Sequence, residues 1–237
     1  MTNWNGKKIL ITGGSAGLGL ALAKHLVDCG ARVAIVGRNA ARLHAAAGAT
    51  GAVGINADVA AKEDVYKIAG LAVDALGGVD VLVNNASYLG ATPLRLLADS
   101  DCEDLERALA TNVVGPFRLT KALLPALLLG DGRGLVVNIS SDAAISAYPQ
   151  WGVYGASKAA LDHLTRIFDA ELRAEGLRFV AVDPGDMRTA MHFAAVPGAD
   201  AGALRDPSDV ARELVRFLGD LEECGPVRFA ATEWRHG

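Results

Sequence analysis

Apolar and polar positions along this chain follow two alternating patterns. Short runs rich in β-branched residues, with little polar alternation, recur between longer stretches in which apolar residues have helical spacing. Continuous apolar runs are typical of strands covered on both faces, as in a parallel sheet. The predicted strands are 8–12, 32–36, 53–56, 79–84, 135–140 and 178–183, with a weaker one near 227–230. The predicted helices are roughly 17–29, 61–76, 101–129, 154–175 and 208–218.

This alternation of strands and helices predicts the fold class. It is typical of a doubly wound α/β fold, here a parallel sheet of about seven strands with helices on both faces. Neither a linker nor a repeat interrupts it, so residues 1–237 are predicted to form a single domain. Residues 187–206 are rich in Ala, Gly and Pro without a clean helical period. We expect them to form a mobile substrate-binding excursion, with a lid as one purpose.

Composition and charge narrow the classes of partner. Of the 237 residues, 51% are hydrophobic and 21% charged, which allows a substantial core and argues against global disorder. A net charge of −4 argues against nucleic acid or an anionic membrane surface as the main partner. The most apolar helical stretch, 119–130, is too short to span a bilayer, and no signal peptide is visible. We therefore expect a soluble, cytoplasmic protein.

The cysteines and histidines predict no metal site. Cys29, Cys102 and Cys224 are far apart, odd in number and without a C-x-x-C pair, which fits a reducing compartment. None of the five histidines has a ligand-like partner four residues further on. We expect no metal to be bound.

The first predicted strand leads through the sequence TGGSAGLG, residues 12–19, into a helix. The glycines Gly13, Gly17 and Gly19 permit positive φ and let the main chain approach a pyrophosphate, whose charge the helix N-terminus would stabilise. A tight turn without a ligand is the alternative. Its place between strand one and helix one favours a dinucleotide site, and hence a Rossmann-like domain.

The end of the second predicted strand indicates which dinucleotide is bound. A free ribose hydroxyl usually meets Asp or Glu at this point, whereas a 2′-phosphate calls for arginine. The chain has Arg38, followed by Asn39, so we predict NADP(H) in preference to NAD(H). A solvated arginine without a ligand is the alternative. Asp58 and Val59, which close the third strand, are placed to bind the adenine.

The sequence YGASK contains Tyr154 and Lys158, four residues apart. Residues i and i+4 lie on one face of a helix, so the two side chains are predicted to point the same way. A lysine ammonium near a phenol favours the phenolate and lowers the pKa of the tyrosine, which would suit it to proton transfer. A surface pair without a role is the alternative for this motif alone.

The motifs TGGSAGLG, NNAS, TNVVGPF, NISS, YGASK and DPGDMRT, in this order and spacing, closely resemble those of the short-chain dehydrogenase/reductase family. The resemblance covers most of the chain. It implies an oxidoreductase that transfers a hydride between NAD(P)H and a carbonyl or alcohol substrate. It also implies that a Ser, a Tyr, a Lys and an Asn together move the proton.

The resemblance assigns these four roles to residues of this chain. Tyr154 would be the general acid and base, and Lys158 would bind the nicotinamide ribose as well as lower the pKa of the tyrosine. Ser140 and Ser141 compete for the serine role, and Ser141, thirteen residues before Tyr154, has the spacing of the family. Its hydroxyl would donate to the substrate oxygen. Asn112 would hold a water that passes the proton to solvent.

The resemblance also completes the predicted cofactor site. Pro184 and Gly185 would form a turn along the nicotinamide, and Thr189 would bond its carboxamide or the pyrophosphate. Asp186 and Arg188 could be pocket groups, but a local ion pair is expected. The predicted cofactor-binding residues are Gly13, Ser15, Gly17, Leu18, Gly19, Arg38, Asn39, Asp58, Val59, Asn85, Ala86, Tyr154, Lys158, Pro184, Gly185 and Thr189.

Substrate choice is predicted to depend on residues near the mouth of the pocket, several of them apolar or aromatic. They favour a hydrophobic or ring-bearing carbonyl compound, with plain packing or a dimer contact as the alternative for Trp151 and the methionines. The set is Tyr88, Leu89, Ile145, Tyr148, Gln150, Trp151, Met187, Met191, His192 and Phe193.

Two other functions remain open, and so does the assembly. A cofactor-sensing protein would keep the fold without turnover, and a lyase, dehydratase or epimerase would use the same tyrosine. The tail GPVRFAATEWRHG, residues 225–237, lacks the V-D-G-G-like turn that many family members have near a neighbouring subunit. We therefore expect a homodimer through the helices at 101–129 and 154–175, with the homotetramer of the family as the alternative.

Overall fold

The computed structural model describes residues 4–130, 134–221 and 225–230 and contains the predicted parallel sheet. Its strands are β1 (Lys8–Thr12), β2 (Arg32–Gly37), β3 (Val53–Asn56), β4 (Val81–Asn84), β5 (Gly134–Ile139), β6 (Leu177–Asp183) and β7 (Arg228–Ala230). They pair in parallel in the order β3-β2-β1-β4-β5-β6-β7. The doubly wound fold is confirmed, and the strand ends differ from the predicted ones by one or two residues.

The helices connect successive strands and cover both faces of the sheet. They are α1 (Gly17–Asp28), α2 (Ala40–Thr50), α3 (Lys62–Leu76), α4 (Cys102–Leu109), α5 (Gly115–Leu128), α6 (Gly152–Leu172), α7 (Ala190–Ala195) and α8 (Pro207–Gly219). A single 3₁₀ turn, Arg173–Glu175, continues the end of α6, which the sequence had predicted as helix to residue 175.

The two layers of the core explain the apolar strands. Ile9 and Ile11 of β1 belong to a buried cluster with α1 and α8, whereas Leu10 belongs to a second cluster with α3 and α5. Successive side chains of a strand point to opposite faces, so a strand covered on both faces needs apolar residues throughout.

The order of the strands reverses at β1, which lies between β2 and β4. In open α/β sheets a crevice for ligands forms outside the carboxyl ends of the strands at such a point. Thr12 at the end of β1 fixes the main chain on one side of this crevice. Its Oγ1 accepts hydrogen bonds from the main-chain N–H groups of Asn85 (3.0 Å) and Ala86 (3.1 Å), just after β4.

The single helix predicted at 101–129 is wrong in one respect, because a π-helical turn at Ala110–Val114 separates α4 from α5. This turn carries the buried Asn112, whose side chain bonds to the loop after β4 and to α6. Gly115, which begins α5, lies against the main chain of Val59, where a Cβ would come 2.6 Å from the carbonyl oxygen. Contacts of Asn112 and Gly115 with residues distant in the sequence therefore fix the break.

Two helices were not predicted. The segment of α2 has no clear periodic apolar face. Its helix is favoured by a cap, since Asn39 accepts a hydrogen bond from the N–H of Arg42, and by the high helix propensity of its many alanines. The second, α7, lies in the segment expected to be an irregular excursion. It is capped by Thr189, and an isolated bridge between Met187 and Arg205 closes the base of the segment.

Other predictions concern the chain ends and the membrane. Cys224 and residues 231–237 of the tail lie outside the described residues, whereas Cys29 and Cys102 are exposed free thiols. Within the described ranges, no helix is both long and apolar enough to cross a bilayer.

Candidate functional site

The glycine turn between β1 and α1 is built by close packing at its ends and open space at its centre. Gly13 has φ +67°, and a Cβ there would lie 2.8 Å from the Ala86 Cα. At Gly19 a Cβ would lie 2.5 Å from the Gly13 carbonyl oxygen. By contrast, the space in front of Gly17, with φ +53°, is bounded only by the methyl group of Thr189 at 3.5 Å.

The start of α1 leaves donors free beside that space. Its cap residue, Ala16, has no side chain to accept from the first-turn N–H groups, and the first turn contains no acidic residue. Such N–H groups, together with the positive end of the helix, form a site for an anion. The turn has room and donors for an anion, and its role as the pyrophosphate site stays a prediction.

A pocket of about 420 Å³ continues from this turn to the end of β2. Arg38 is half exposed there, and its guanidinium lies 3.6 Å from the Asp58 carboxylate. Asn39 lies in the same pocket, but its side-chain oxygen caps α2. Arg42, which the sequence analysis missed, lines both this pocket and the next one. The residues of the predicted set that line this pocket are Gly13, Ser15, Arg38, Asn39, Asp58, Val59 and Ala86.

Tyr154 and Lys158 lie on one face of α6, and both are buried. The Lys158 ammonium is 5.4 Å from the centre of the Tyr154 ring and donates to the Ile139 carbonyl at 2.7 Å, at the end of β5. Burial lowers the pKa of Lys158 to about 8, although the nearby Asp162 carboxylate opposes this change. The lysine is therefore held in place by the main chain.

The pKa of Tyr154 was expected to be low and is instead raised in the protein alone. Burial is the largest cause, and the carboxylates of Asp183 and Asp142 add to it, while hydrogen bonding to Ser87 and Ser141 acts in the opposite direction. A buried phenolate loses its hydration, and this loss is the main reason why the pKa is raised. The prediction from the Y-x-x-x-K spacing was right about position and wrong about the direction of the pKa.

The two candidate serines have different environments. The hydroxyl of Ser141 donates to the Asp142 carboxylate at 3.0 Å and accepts from the Ala143 N–H at 3.2 Å. Ser140 also lines the cavity, but its hydroxyl is buried and has no hydrogen-bond partner among the described residues. Ser141 is only partly buried and lowers the pKa of Tyr154, so it remains the predicted serine.

Asn112 is fully hydrogen-bonded to the protein. Its amide donates to the Tyr88 carbonyl and the Ser157 hydroxyl, both at 2.8 Å, and its oxygen accepts from the Tyr88 N–H and the Ser87 hydroxyl. The side chain thus joins the loop after β4 to α6. A water that Asn112 binds must therefore be held by its main chain, not by its side chain.

The segment after β6 closes the other side of the cavity. Gly185, with φ +70°, donates its N–H to Asp183 at 2.9 Å, and Thr189 caps α7 by accepting from the His192 N–H. The expected ion pair between Asp186 and Arg188 is wrong. Arg188 instead donates to Asp206 at 2.6 Å, and Asp186 lies 3.5 Å from the His192 ring.

The cavity that contains Tyr154 has a volume of about 400 Å³. Half of the predicted substrate set lines it: Leu89, Trp151, Met187, Met191 and His192. The other half, Tyr88, Ile145, Tyr148, Gln150 and Phe193, does not. Tyr88 is turned to bond Asp104, and Tyr148 bonds Asp142. Asp142, Ala190 and Ala195 also line the cavity, and no sequence motif predicted them there.

Comparison with known proteins identifies the family. The model of the short chain dehydrogenase family matches residues 7–198. The chain belongs to this family. It is 36% identical over 77% of its length to 2-(R)-hydroxypropyl-CoM dehydrogenase of Xanthobacter autotrophicus, covering 75% of that protein. It is 34% identical over 85% of its length to 2,5-dichloro-2,5-cyclohexadiene-1,4-diol dehydrogenase of Sphingobium indicum, covering 80% of that protein.

A solved short chain dehydrogenase from Shigella flexneri, complexed with NADP, shares the fold. The TM-score is 0.90 at 29% identity, and the match covers 98% of this chain and 100% of the other. The short-chain dehydrogenase described here is therefore an oxidoreductase of a family that binds a nicotinamide cofactor.

The residues present fit such a cofactor. The open space in front of Gly17 and the free donors of α1 suit the pyrophosphate, and the pocket at Arg38 suits the adenosine end. At the other end, Tyr154, Lys158 and Thr189 line the cavity that begins at the same glycine turn. An acid, a cation and a hydrogen-bond donor thus meet where a nicotinamide would lie.

Proposed function

We propose that this short-chain dehydrogenase is an NADP(H)-dependent oxidoreductase that interconverts a ketone or aldehyde with its alcohol, with Tyr154 as general acid and base. The observation that carries the proposal is the buried Tyr154–Lys158 pair on one face of α6, in the wall of the cavity that also contains Ser141 and the glycine turn. Burial of a lysine is costly, and titratable groups with perturbed pKa values in a cavity wall are typical of functional sites.

The bound nicotinamide supplies a hydride to the substrate carbon in reduction and accepts one in oxidation. Tyr154 gives its proton to the substrate oxygen in reduction and takes a proton from the alcohol in oxidation. Its raised pKa keeps the phenol protonated at neutral pH, which is the form that reduction needs. Ser141 would turn its hydroxyl from Asp142 to the substrate oxygen and orient it.

Lys158 would act through its charge and its position. With a pKa of about 8, the ammonium is largely charged at neutral pH and favours the phenolate that forms when Tyr154 gives up its proton. Its contact with the Ile139 carbonyl fixes one of its three donors, which leaves others for a ribose hydroxyl. Asn112 would fix the position of the loop after β4 relative to α6.

The preference for NADP(H) rests on Arg38. The guanidinium lies in the pocket at the adenosine end, near a carboxylate that it could exchange for a 2′-phosphate. Arg42, in the same pocket, adds a second positive charge. The complex of the Shigella flexneri relative with NADP supports this assignment.

The lining of the cavity supports a small alcohol or carbonyl compound with an apolar part. Leu89, Trp151 and Met187 supply apolar surface, whereas the polar groups concentrate near Tyr154. Two of the similar dehydrogenases act, by their names, on a hydroxypropyl compound and a cyclic diol. Both kinds of compound belong in the first substrate panel.

The test is a fluorescence titration with NADPH and NADH, followed by nucleotide-coupled turnover on short 2-ketones, cyclic ketones, secondary alcohols and cyclic diols. Tyr154→Phe protein, assayed in parallel, removes background activity. We expect tighter binding of NADPH than of NADH, and turnover that the variant lacks. Tight binding without turnover on any compound would contradict the oxidoreductase assignment, and no binding of either nucleotide would contradict the cofactor site.

A further inference from the structure

Arg228 reaches from the edge strand β7 to the back of the catalytic centre. Its Nε donates to Asp162 Oδ2 at 2.8 Å, and its Nη2 donates to the Ser141 carbonyl at 3.0 Å. The same Nη2 lies 4.0 Å from Asp183 Oδ2, at the end of β6. The Arg228 side chain is 15% exposed and that of Asp162 is 4% exposed, so water competes little with these bonds.

The contacts of Arg228 join the two halves of the catalytic machinery. Tyr154, Lys158 and Asp162 are spaced at i, i+4 and i+8, which places them along one face of α6. Ser141 lies on another element, at the start of the 3₁₀ turn Asp142–Ala144 that follows β5. The guanidinium therefore ties the main chain of the serine to the helix face that carries the tyrosine and the lysine.

The Ser141 carbonyl needs this contact to be fully bonded. It already accepts from the Ala144 N–H at 3.1 Å within the 3₁₀ turn, and Arg228 supplies the second donor. A carbonyl oxygen has two lone pairs, so both positions are used. Arginine suits this place because its rigid fork can bond a carboxylate and a carbonyl at once.

We propose that Arg228 is a positioning residue for the reaction, which clamps the Ser141 main chain to α6 and so sets the separation of the Ser141 and Tyr154 hydroxyls. The inference rests on the proposed roles of Ser141 and Tyr154. Small displacements of reacting groups cost rate steeply, and a misplacement of about 1 Å can cost about a hundredfold. Loss of the clamp therefore affects turnover more than cofactor binding.

The chain offers a closely matched control in Arg178 of β6. Its Nη1 donates to Asp169 of α6 at 3.1 Å, with side-chain exposures of 12% and 4%, and its Nη2 donates to the carbonyls of Gly225 and Pro226. Arg178 thus makes an equally buried pair with the same helix and holds the segment that leads into β7. It has no contact with Ser141 among the described residues.

The first measurement is hydrogen exchange of residues 140–146 in the cofactor-free protein, which requires no turnover. Arg228→Gln should speed exchange of the Ala144 and Ile145 amides by about tenfold, because the 3₁₀ turn loses an anchor. Arg178→Gln should leave this segment unchanged although it lowers the melting temperature similarly. Equal exchange in both variants would overturn the proposal. The exchange rates and NADPH turnover are independent measurements. The exchange result can contradict the clamp while NADPH turnover supports the proposed function, and the exchange result can support the clamp in a protein without turnover.

The second measurement is a double-mutant cycle on kcat. Arg228→Gln should lower kcat by about ten- to a hundredfold with the Kd for NADPH unchanged, and Arg228→Lys should recover part of the loss. In the Ser141→Ala background, Arg228→Gln should have little further effect, because the hydroxyl that the clamp positions is gone while the Ser141 carbonyl that Arg228 bonds remains. An equal loss in both backgrounds would overturn the clamp. If Arg228→Gln does not fold, Arg228→Lys carries the same cycle with the same criterion.

Discussion

At the residue scale, the environment of Tyr154 determines how the reaction should respond to pH. The pKa of its phenol is raised by burial, so the acid form persists through the neutral range. Reduction needs this form and the Lys158 ammonium, whose pKa is about 8, so kcat/KM for reduction should stay flat between about pH 6 and pH 7 and fall above pH 8. Oxidation needs the phenolate, so its kcat/KM should rise with pH by up to about tenfold per unit. Initial rates in both directions measure this, and an oxidation rate that falls from pH 6 to pH 8 would contradict the assignment.

Removal of the Tyr154 hydroxyl separates chemistry from binding. Tyr154→Phe keeps the ring that packs edge-on against Trp151, with ring centres 6.0 Å apart, and removes only the proton donor. We expect turnover to fall by about 10²- to 10⁴-fold while the Kd for NADPH stays nearly unchanged. Tyr66→Phe, at an exposed tyrosine of α3, is the control and should match the wild-type protein. Retention of most activity in Tyr154→Phe would identify a different acid.

Arg38 is the residue on which the choice of cofactor depends. Replacement by Gln removes the charge, and replacement by Asp adds repulsion of a 2′-phosphate. Hydrogen bonds to charged groups contribute about 1.5–3 kcal/mol, so Arg38→Gln should weaken NADPH binding by about 10- to 100-fold. Arg38→Asp should weaken it further, and NADH binding should change little in either variant. Titration with the two nucleotides measures this, and equal losses for both would exclude Arg38 from the phosphate site.

At the scale of elements, alanine substitution at two helical glycines tests two different effects, close packing at one position and helix propensity at the other. A Cβ added at Gly115 would lie 2.6 Å from the Val59 carbonyl oxygen. A Cβ added at Gly70 of α3 would have no atom within 4 Å. Gly115→Ala should therefore destabilise the protein by about 1–3 kcal/mol and weaken cofactor binding beside Val59. Gly70→Ala should stabilise it by about 0.5–1 kcal/mol. Urea unfolding measures both, and a Gly115→Ala variant as stable as the wild type would contradict the close contact.

The elements also show which parts of the structure the sequence could predict. Strands buried on both faces have an unambiguous apolar pattern, and Tyr154 and Lys158 are close because they are four residues apart in one helix. Both signals are local. The π-helical turn depends on distant contacts, since Asn112 is fixed by residues 24 and 45 positions away. The placement of Arg228 does so too, because its carboxylate partner is 66 positions away. Such contacts arise only when the sheet assembles, so no local pattern indicates them.

The direction of the Tyr154 pKa illustrates the same limit within the site. The sequence places a cation beside the phenol but does not give the depth of burial of either group. Their desolvation, and the carboxylates that β6 and the turn after β5 bring near, come from the assembled fold. Arg188 likewise pairs with Asp206, eighteen residues away, rather than with the nearer Asp186.

At the scale of the whole molecule, the outer faces of α5 and α6 carry exposed apolar side chains. Phe117 and Leu128 of α5 are 38% and 42% exposed, and Ile167 of α6 is 40% exposed. The rings of Phe117 and Phe168 lie 5.8 Å apart, so the two helices lie side by side. Neighbouring apolar faces of this kind mark interfaces between proteins. They support the expected homodimer, in which each pair of helices would pack on its symmetry mate.

The dimer has a direct test by size-exclusion chromatography with light scattering. Ile167→Glu places a charge in the middle of the proposed interface, and burial of an unpaired carboxylate opposes association. We expect the wild-type protein to elute as a dimer and this variant to shift towards the monomer. Tyr66→Glu, at a side chain 77% exposed on α3, should remain dimeric. A wild-type protein that is monomeric at micromolar concentration, or a tetramer that Ile167→Glu leaves intact, would place the interface elsewhere. Because Tyr154 and Ile167 lie on the same helix, the activity of the Ile167→Glu monomer would also show whether the partner subunit steadies the catalytic face of α6.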